Sequence, residues 1–319
     1  MYENTIPTNA TDLAQSVAEN LRANGVSAEV TVIPKAKIND TKLLAIQIYE
    51  PGRSVHPTID IDNILGRIDE GETSLSAAAE EISNMYMHTV QSLPQKPSFE
   101  KEDVLPKLRI AAINTASNQE LLRNLPHVNV HDLSLIAIYQ VNDESHIKVT
   151  NDLCSLLEMT PGELMDAAIK SQAKQPYKIV SMQEQLGSMV DDEELMEEMF
   201  LDNSGPQMYV LSNESMSLGS GVFFVNNAMK QELIDRLQEP AVILPSSTHE
   251  LLAIPVSQIS SYEEIDEMIQ SVNETSLSAS DVLSNHCYML NEDLSITMPT
   301  MAEDLAMKSS ETLSTSFHI

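Results

Sequence analysis

Apolar residues recur with two different periods along the first part of the chain. In "TDLAQSVAENLRANG", Leu13, Val17 and Leu21 fall at every fourth position, which predicts an amphipathic helix. Asn24-Gly25 supplies its left-handed stop. "AEVTVI" (28–33) and "LLAIQIY" (43–49) then read as strands. In the second, Leu44, Ile46 and Ile48 share one face and Pro51-Gly52 ends the run. "HPTIDIDNIL" adds a short strand. Leu75, Ala78, Ala79, Ile82, Met85 and Tyr86 return to helical spacing, a stripe suited to cover a sheet. Residues 1–90 are therefore expected as an α+β block.

"QSLPQKPSFEKED" (91–103), with two prolines and mixed charge, reads as a linker. A second α+β block spans 104–187. It holds a strand in "LPKLRIAAINT", a short helix in "NQELLRNL", and a hairpin of "LSLIAIYQV" and "HIKVT" around "NDES". "TPGEL" is a helix start: Thr160 as N-cap, Pro161 at the first helical position, Glu163 closing a capping box. "SMVDDEELMEEMFLD" reads as an acidic helix with Leu195, Met196, Met199 and Phe200 on one stripe, and "NSGP" breaks the chain after it, so 188–206 is helix plus linker. Residues 207–292 read as hairpin-helix-hairpin-helix, a ββαββα unit. Its strands are "MYVLS", "GVFFV", "AVIL" and "LLAIPV"; its last helix carries Ile265, Met268, Ile269 and Val272 behind a Ser261/Glu264 cap. Residues 293–319 read as a loose tail. The fold class expected is α+β, tandem blocks of antiparallel hairpins covered by helices.

Charge changes the picture. The chain has 48 Asp+Glu against 18 Lys+Arg, a net of −30 over 319 residues. From Ile179 onward there are 24 acidic residues and 3 basic ones (Lys230, Arg236 and Lys308), a net of −21. Such a surface repels nucleic acid and anionic lipid, so neither is expected as a partner. The carboxylates Asp191, Asp192, Glu193, Glu194, Glu197 and Glu198 are the candidate binding residues for a protein partner of basic character. One form of this is nucleic-acid mimicry, carboxylates standing in for phosphates in a basic groove. The competing explanation is solubility alone. No run approaches the ~20 apolar residues of a membrane span, and the amino end has no secretory signal pattern. With only Cys154 and Cys287 for redox chemistry, a cytoplasmic location is expected.

Several stretches resemble catalytic or metal sites. "PSSTHE" (245–250) places Ser246, Ser247, His249 and Glu250 together, but strands on both sides make it a hairpin connection. A catalytic serine usually sits on a glycine-flanked elbow, and no glycine is near. "HVNVHD" offers His127, His131 and Asp132; in an extended segment the two imidazoles lie about 13 Å apart at ~3.3 Å per residue, too far for one ion. Asp60 and Asp62 on one strand face lack the glycine and distal glutamate of a calcium loop. His286 and Cys287 are adjacent and point different ways. "GSG" (219–221) has no P-loop lysine. No catalytic residue, cofactor or metal is assigned. A hydrolase or metal enzyme using His127, His131, Ser247 or His249 stands as the alternative and requires those side chains to converge on one pocket.

The segments "YEPGRSVHPTIDID", "NLPHVNVHDLSLIAIY", "MYVLSN", "ILPSSTHELLAIPV" and "EEIDEMIQSVNETSLSASDVLSNHCYML" together resemble an uncharacterised bacterial family, a domain of unknown function common in gut anaerobes. The resemblance covers residues 36 to 290. Asp60 departs from the pattern, where the family's strand more often carries an aromatic or apolar residue, which implies a looser core edge there. The resemblance implies no activity, cofactor or catalytic residue.

Overall fold

Leu13, Val17 and Leu21 are all fully or almost fully buried in α1 (Thr8–Ala23), so the four-residue spacing does select the helix's core face. The computed structural model describes residues 6–53, 56–92, 99–141, 146–187, 207–305 and 307. The chain forms two compact units, residues 1–104 and 105–319. No described helix is long and apolar enough to cross a membrane.

In the first unit, Gly25 follows α1 with φ +81°, and the Val26 amide returns to the Leu21 carbonyl at 2.9 Å, closing the helix end. β1 (Glu29–Ala36), β2 (Lys42–Tyr49) and β3 (Thr58–Asp60) form an antiparallel sheet, with Val30 opposite Ile48 and Val32 opposite Ile46. α2 (Asp62–Asp69) and α3 (Leu75–Ser92) follow, and then a single turn, α4 (Lys101–Val104), inside the stretch expected as linker. The core joins Leu44, Ile46 and Ile48 of the sheet to α1 and to Ala78, Ala79, Ile82 and Tyr86 of α3. Met85 belongs to the same sequence stripe yet is exposed. The Tyr86 ring is fully buried while its hydroxyl donates to Glu50 at 2.8 Å, and Arg53 donates to the same carboxylate at 2.6 Å.

The second unit carries two antiparallel sheets. β4 (Leu108–Asn114) pairs with β6 (Leu133–Gln140) along its whole length; β5 (His127–Val130) and β7 (His146–Lys148) share β6's other edge. Every residue of β6 from Leu133 to Tyr139 is buried, as a central strand covered on both faces requires. α5 (Gln119–Leu122) and α6 (Asn151–Leu156) are short. α7 (Pro161–Gln172) begins with the expected capping box: Glu163 N–H donates to Thr160 Oγ1 and the Glu163 carboxylate accepts from Thr160 N–H.

The larger sheet runs β13-β12-β10-β11-β9-β8. Its strands are β8 (Tyr177–Ser181), β9 (Tyr209–Asn213), β10 (Ala241–Leu244), β11 (Leu251–Pro255), β12 (Tyr288–Leu290) and β13 (Ile296–Thr297). α8 (Met182–Gly187), α9 (Ser220–Val225), α10 (Asn227–Leu237) and α11 (Tyr262–Thr275) complete it. The described elements are α+β.

One expected strand is corrected. "GVFFV" is helix α9, and the first hairpin partner of β9 is β8. Residues 220–224 are all buried, so no alternation separates strand from helix in so short an apolar run. The first hairpin expected within 207–292 is therefore not there: β8 precedes that stretch and α8 stands between it and β9, while β10, β11 and α11 stand as expected. Beyond that stretch, β13 pairs with β12, and a helical turn at 301–305 brings the buried Asp304 against the start of α11, where its carboxylate accepts from Ser261 Oγ and Tyr262 N–H.

Candidate functional site

"PSSTHE" connects β10 to β11, as expected, and its polar groups are spent on holding neighbouring loops. Ser247 Oγ accepts from the backbone N–H of His249 at 3.1 Å, and Ser247 N–H donates to the Glu250 carbonyl. The Thr248 carbonyl accepts from Ser220 Oγ at 2.7 Å, and the His249 carbonyl accepts from Ser212 Oγ at 2.7 Å and Gly219 N–H at 3.0 Å. The His249 imidazole faces elsewhere: Nδ1 accepts from Leu218 N–H at 3.1 Å, and Nε2 lies 3.5 Å from the Asp281 carboxylate. Ser247 therefore meets the backbone of His249, while the ring engages two other turns.

The glycines of "GSG" serve close packing. A Cβ on Gly221 would lie 2.7–2.9 Å from the backbone of Ile110, Ala111 and Ala112 in β4, and one on Gly219 would strike Ser212 Oγ at 2.1 Å. Just before them, Met216 (φ 52°) and Leu218 (φ 48°) are left-handed, each costing roughly 1 kcal/mol for a side-chain-bearing residue.

A second cluster centres on Asp132. With His131 (φ 57°) it forms the two-residue turn between β5 and β6. The Asp132 carboxylate accepts from Ser284 Oγ at 2.6 Å and from Tyr288 OH at 2.7 Å. Tyr288 is fully buried, and burial followed by the Asp132 charge pushes its phenol well up, so it stays a neutral donor. The His131 ring stacks on Tyr288, with Nε2 donating to the Ile296 carbonyl at 2.9 Å. Around them, Asn114 donates to the Leu283 carbonyl and Asn273 to the Ser284 carbonyl. Asp266 accepts from Cys287 N–H at 2.7 Å and faces His286 Nδ1 at 2.9 Å. Burial first, then Asp266, raises the Cys287 thiol, which suits a packed side chain and not a nucleophile.

The four histidine and serine candidates of the enzyme reading have separate partners. His127 Nδ1 donates to the Leu125 carbonyl at 2.9 Å, His131 to Ile296, and Ser247 and His249 bond as above. Asp60 and Asp62 do not share a strand face. β3 ends at Asp60, which pairs with Lys35 and Lys37, whereas Asp62 opens α2 and accepts from Leu44 N–H at 2.6 Å. Those two lysines compensate the charge that Asp60 brings to the sheet. Among the described residues no group of three His, Cys, Asp or Glu side chains has metal-binding geometry. Asp191, Asp192, Glu193, Glu194, Glu197 and Glu198 lie outside the described residues, as does the stripe Leu195, Met196, Met199 and Phe200.

The sequence did not single out Asp132, Ser284 and Tyr288 as a group. Asp132 lies more than 150 residues before the other two, and the sequence offered it only as a metal candidate beside His127 and His131. The segments "HVNVHD", "MYVLSN", "LPSSTHE" and "LSASDVLSNHCYML" thus meet through side-chain and backbone hydrogen bonds around residues 276–288. The arrangement fixes loops to one another.

No curated protein and no solved structure matches the chain. A family model does, over residues 10–292, a range that includes Asp132, His249, Ser284 and Tyr288. The chain belongs to that family, described as a family of unknown function, DUF5688.

Proposed function

We propose that this protein is a non-enzymatic binding or regulatory protein that presents an acidic surface to a basic protein partner. The observation that carries the reading is how residues 207–305 dispose of their cations. Residues 207–305 contain 15 acidic side chains and two basic ones, Lys230 and Arg236. Lys230 is 6% exposed, with Nζ donating to the Phe224 carbonyl. Arg236 is held by Glu232 at 2.6 Å and by the Ile179 carbonyl at 3.0 Å. Of the 15 carboxylates only Asp304 is buried; the others are exposed or half-buried. On α11, Glu263, Glu264, Glu267 and Glu274 are exposed around Met268 (46%) and Val272 (44%), two apolar side chains of the expected stripe that stay out of the core. A pocket of about 280 Å³ is lined by Ile234, Asp235, Gln238, Glu239 and Glu292. An anionic field with adaptable methionine contacts suits a cationic, amphipathic partner surface.

The nucleic-acid-mimic form of the reading assigns the same role to Asp191, Asp192, Glu193, Glu194, Glu197 and Glu198. The cytoplasm is the compartment proposed, in keeping with two buried cysteines that remain free thiols.

The test is affinity capture on the tagged full chain from nuclease-treated extract, followed by titration of the purified partner. Retention should fall steeply between low and moderate salt. Replacing the 191–198 carboxylates, or separately Glu263, Glu267 and Glu274, by their amides should weaken it. Binding that ignores both salt and these substitutions would overturn the reading.

A further inference from the structure

We propose that His249 is a pH-operated latch on the 213–219 turn. The imidazole reaches two turns at once. Its Nδ1 accepts from Leu218 N–H at 3.1 Å, so the lone pair on that nitrogen is free only while the ring is neutral with its proton on Nε2. That Nε2 faces Asp281 Oδ1 at 3.5 Å. A second proton has one place to go, Nδ1, and there it sets N–H against N–H. The same proton turns the Asp281 contact into an ion pair. Acidification therefore exchanges one partner for the other: the ring leaves Leu218 and holds Asp281.

The turn it releases has reason to move. Met216 and Leu218 are both left-handed without being glycine, and Leu218 is only 7% exposed, so its amide has little water to fall back on. The release is local. Gly219 N–H stays on the His249 carbonyl and Ser220 Oγ on the Thr248 carbonyl, bonds that no proton disturbs, so α9 keeps its anchorage. Within the turn the bonds that stay all run through Asn213: its Nδ2 donates to the Ser217 carbonyl, its Oδ1 accepts from Ser217 N–H and Ser215 Oγ, and its carbonyl accepts from Met216 N–H. On the receiving side the Asp281 carboxylate already accepts from Ser278 Oγ at 2.7 Å and Ser280 Oγ at 3.4 Å, which orient it. Glu214 and Glu250, the other acidic residues of the two turns, make no ion pair with the ring.

The experiment is amide exchange by NMR on the full chain at pH 8 and pH 5, read as protection factors with the intrinsic pH dependence removed. Protection at Leu218 should drop roughly five- to tenfold at pH 5, the size expected for one hydrogen bond, while Val210 and Leu211 in β9 stay unchanged. His249→Asn keeps an acceptor near Nδ1 that does not protonate in this range, so its Leu218 protection should match at the two pH values. His249→Phe should be low at both. Equal wild-type protection at pH 5 and pH 8 overturns the proposal without any variant needing to fold. So does a drop in His249→Asn as large as the wild type's.

Discussion

Glu50 shows how a carboxylate in this very acidic chain is made useful to the fold. It accepts from Tyr86 OH and from Arg53 Nε, and its side chain is about one-third exposed. Burial works to raise its carboxyl, but the Arg53 and Tyr86 hydrogen bonds outweigh it and hold the group below its ordinary value of 4.5. A carboxylate depressed in the folded state contributes stability that is complete above its unfolded value and lost as pH falls through the folded one. Glu50→Gln is therefore expected to cost about 1 kcal/mol near neutral pH, and the gap from wild type should close as pH falls below the ordinary value of 4.5. Denaturant melts at pH 7 and pH 3.5 would show it; a gap that persists unchanged at pH 3.5 would mean that shape, and not charge, sets the effect. Asp132 is a different case, since the donors that meet its carboxylate are the hydroxyls of Ser284 and Tyr288.

At the scale of elements, α9 decides how the second unit packs. Gly221 puts the helix backbone against β4, and a methyl there would lie under 3 Å from three backbone atoms that cannot swing away. Gly221→Ala should destabilise the protein by roughly 3 kcal/mol, at the upper end for overpacking. Gly162→Ala, in open space near the start of α7, should change little, which makes it the control in the same thermal melt. Where the sequence carried a local signal, the fold was legible. The four-residue spacing of Leu13, Val17 and Leu21, the Thr160 box and the turn between β10 and β11 all rest on contacts within a few residues. "GVFFV" failed because its environment is set by β4, more than 100 residues earlier, and burial on every side erases periodicity. Met268 and Val272 show a subtler limit: the stripe on α11 was read correctly as apolar, yet spacing alone does not tell which apolar positions the sheet covers. The Asp132 and His249 clusters were illegible for the same reason as α9, since each is assembled from loops distant in sequence.

For the whole molecule, a net charge of −30 has two consequences with opposite dependence on salt. Like charges on the folded surface repel one another, and compaction holds them closer than the unfolded chain would. Raising ionic strength from about 0.01 to 0.15 M shortens the screening length from roughly 30 Å to 8 Å, so thermal stability should rise, by several degrees at constant pH. The acidic surface proposed to receive a basic partner is governed by the same field acting between molecules, so over that interval affinity should fall. The pairing of signs separates the function proposed here from solubility alone, because a charge that only solubilises predicts the stabilisation and no binding to lose. Calorimetry in a salt series, beside titration of the captured partner in the same buffers, reads both. If stability rises while affinity stays flat, the carboxylates keep the protein in solution and the partner is recognised by something else.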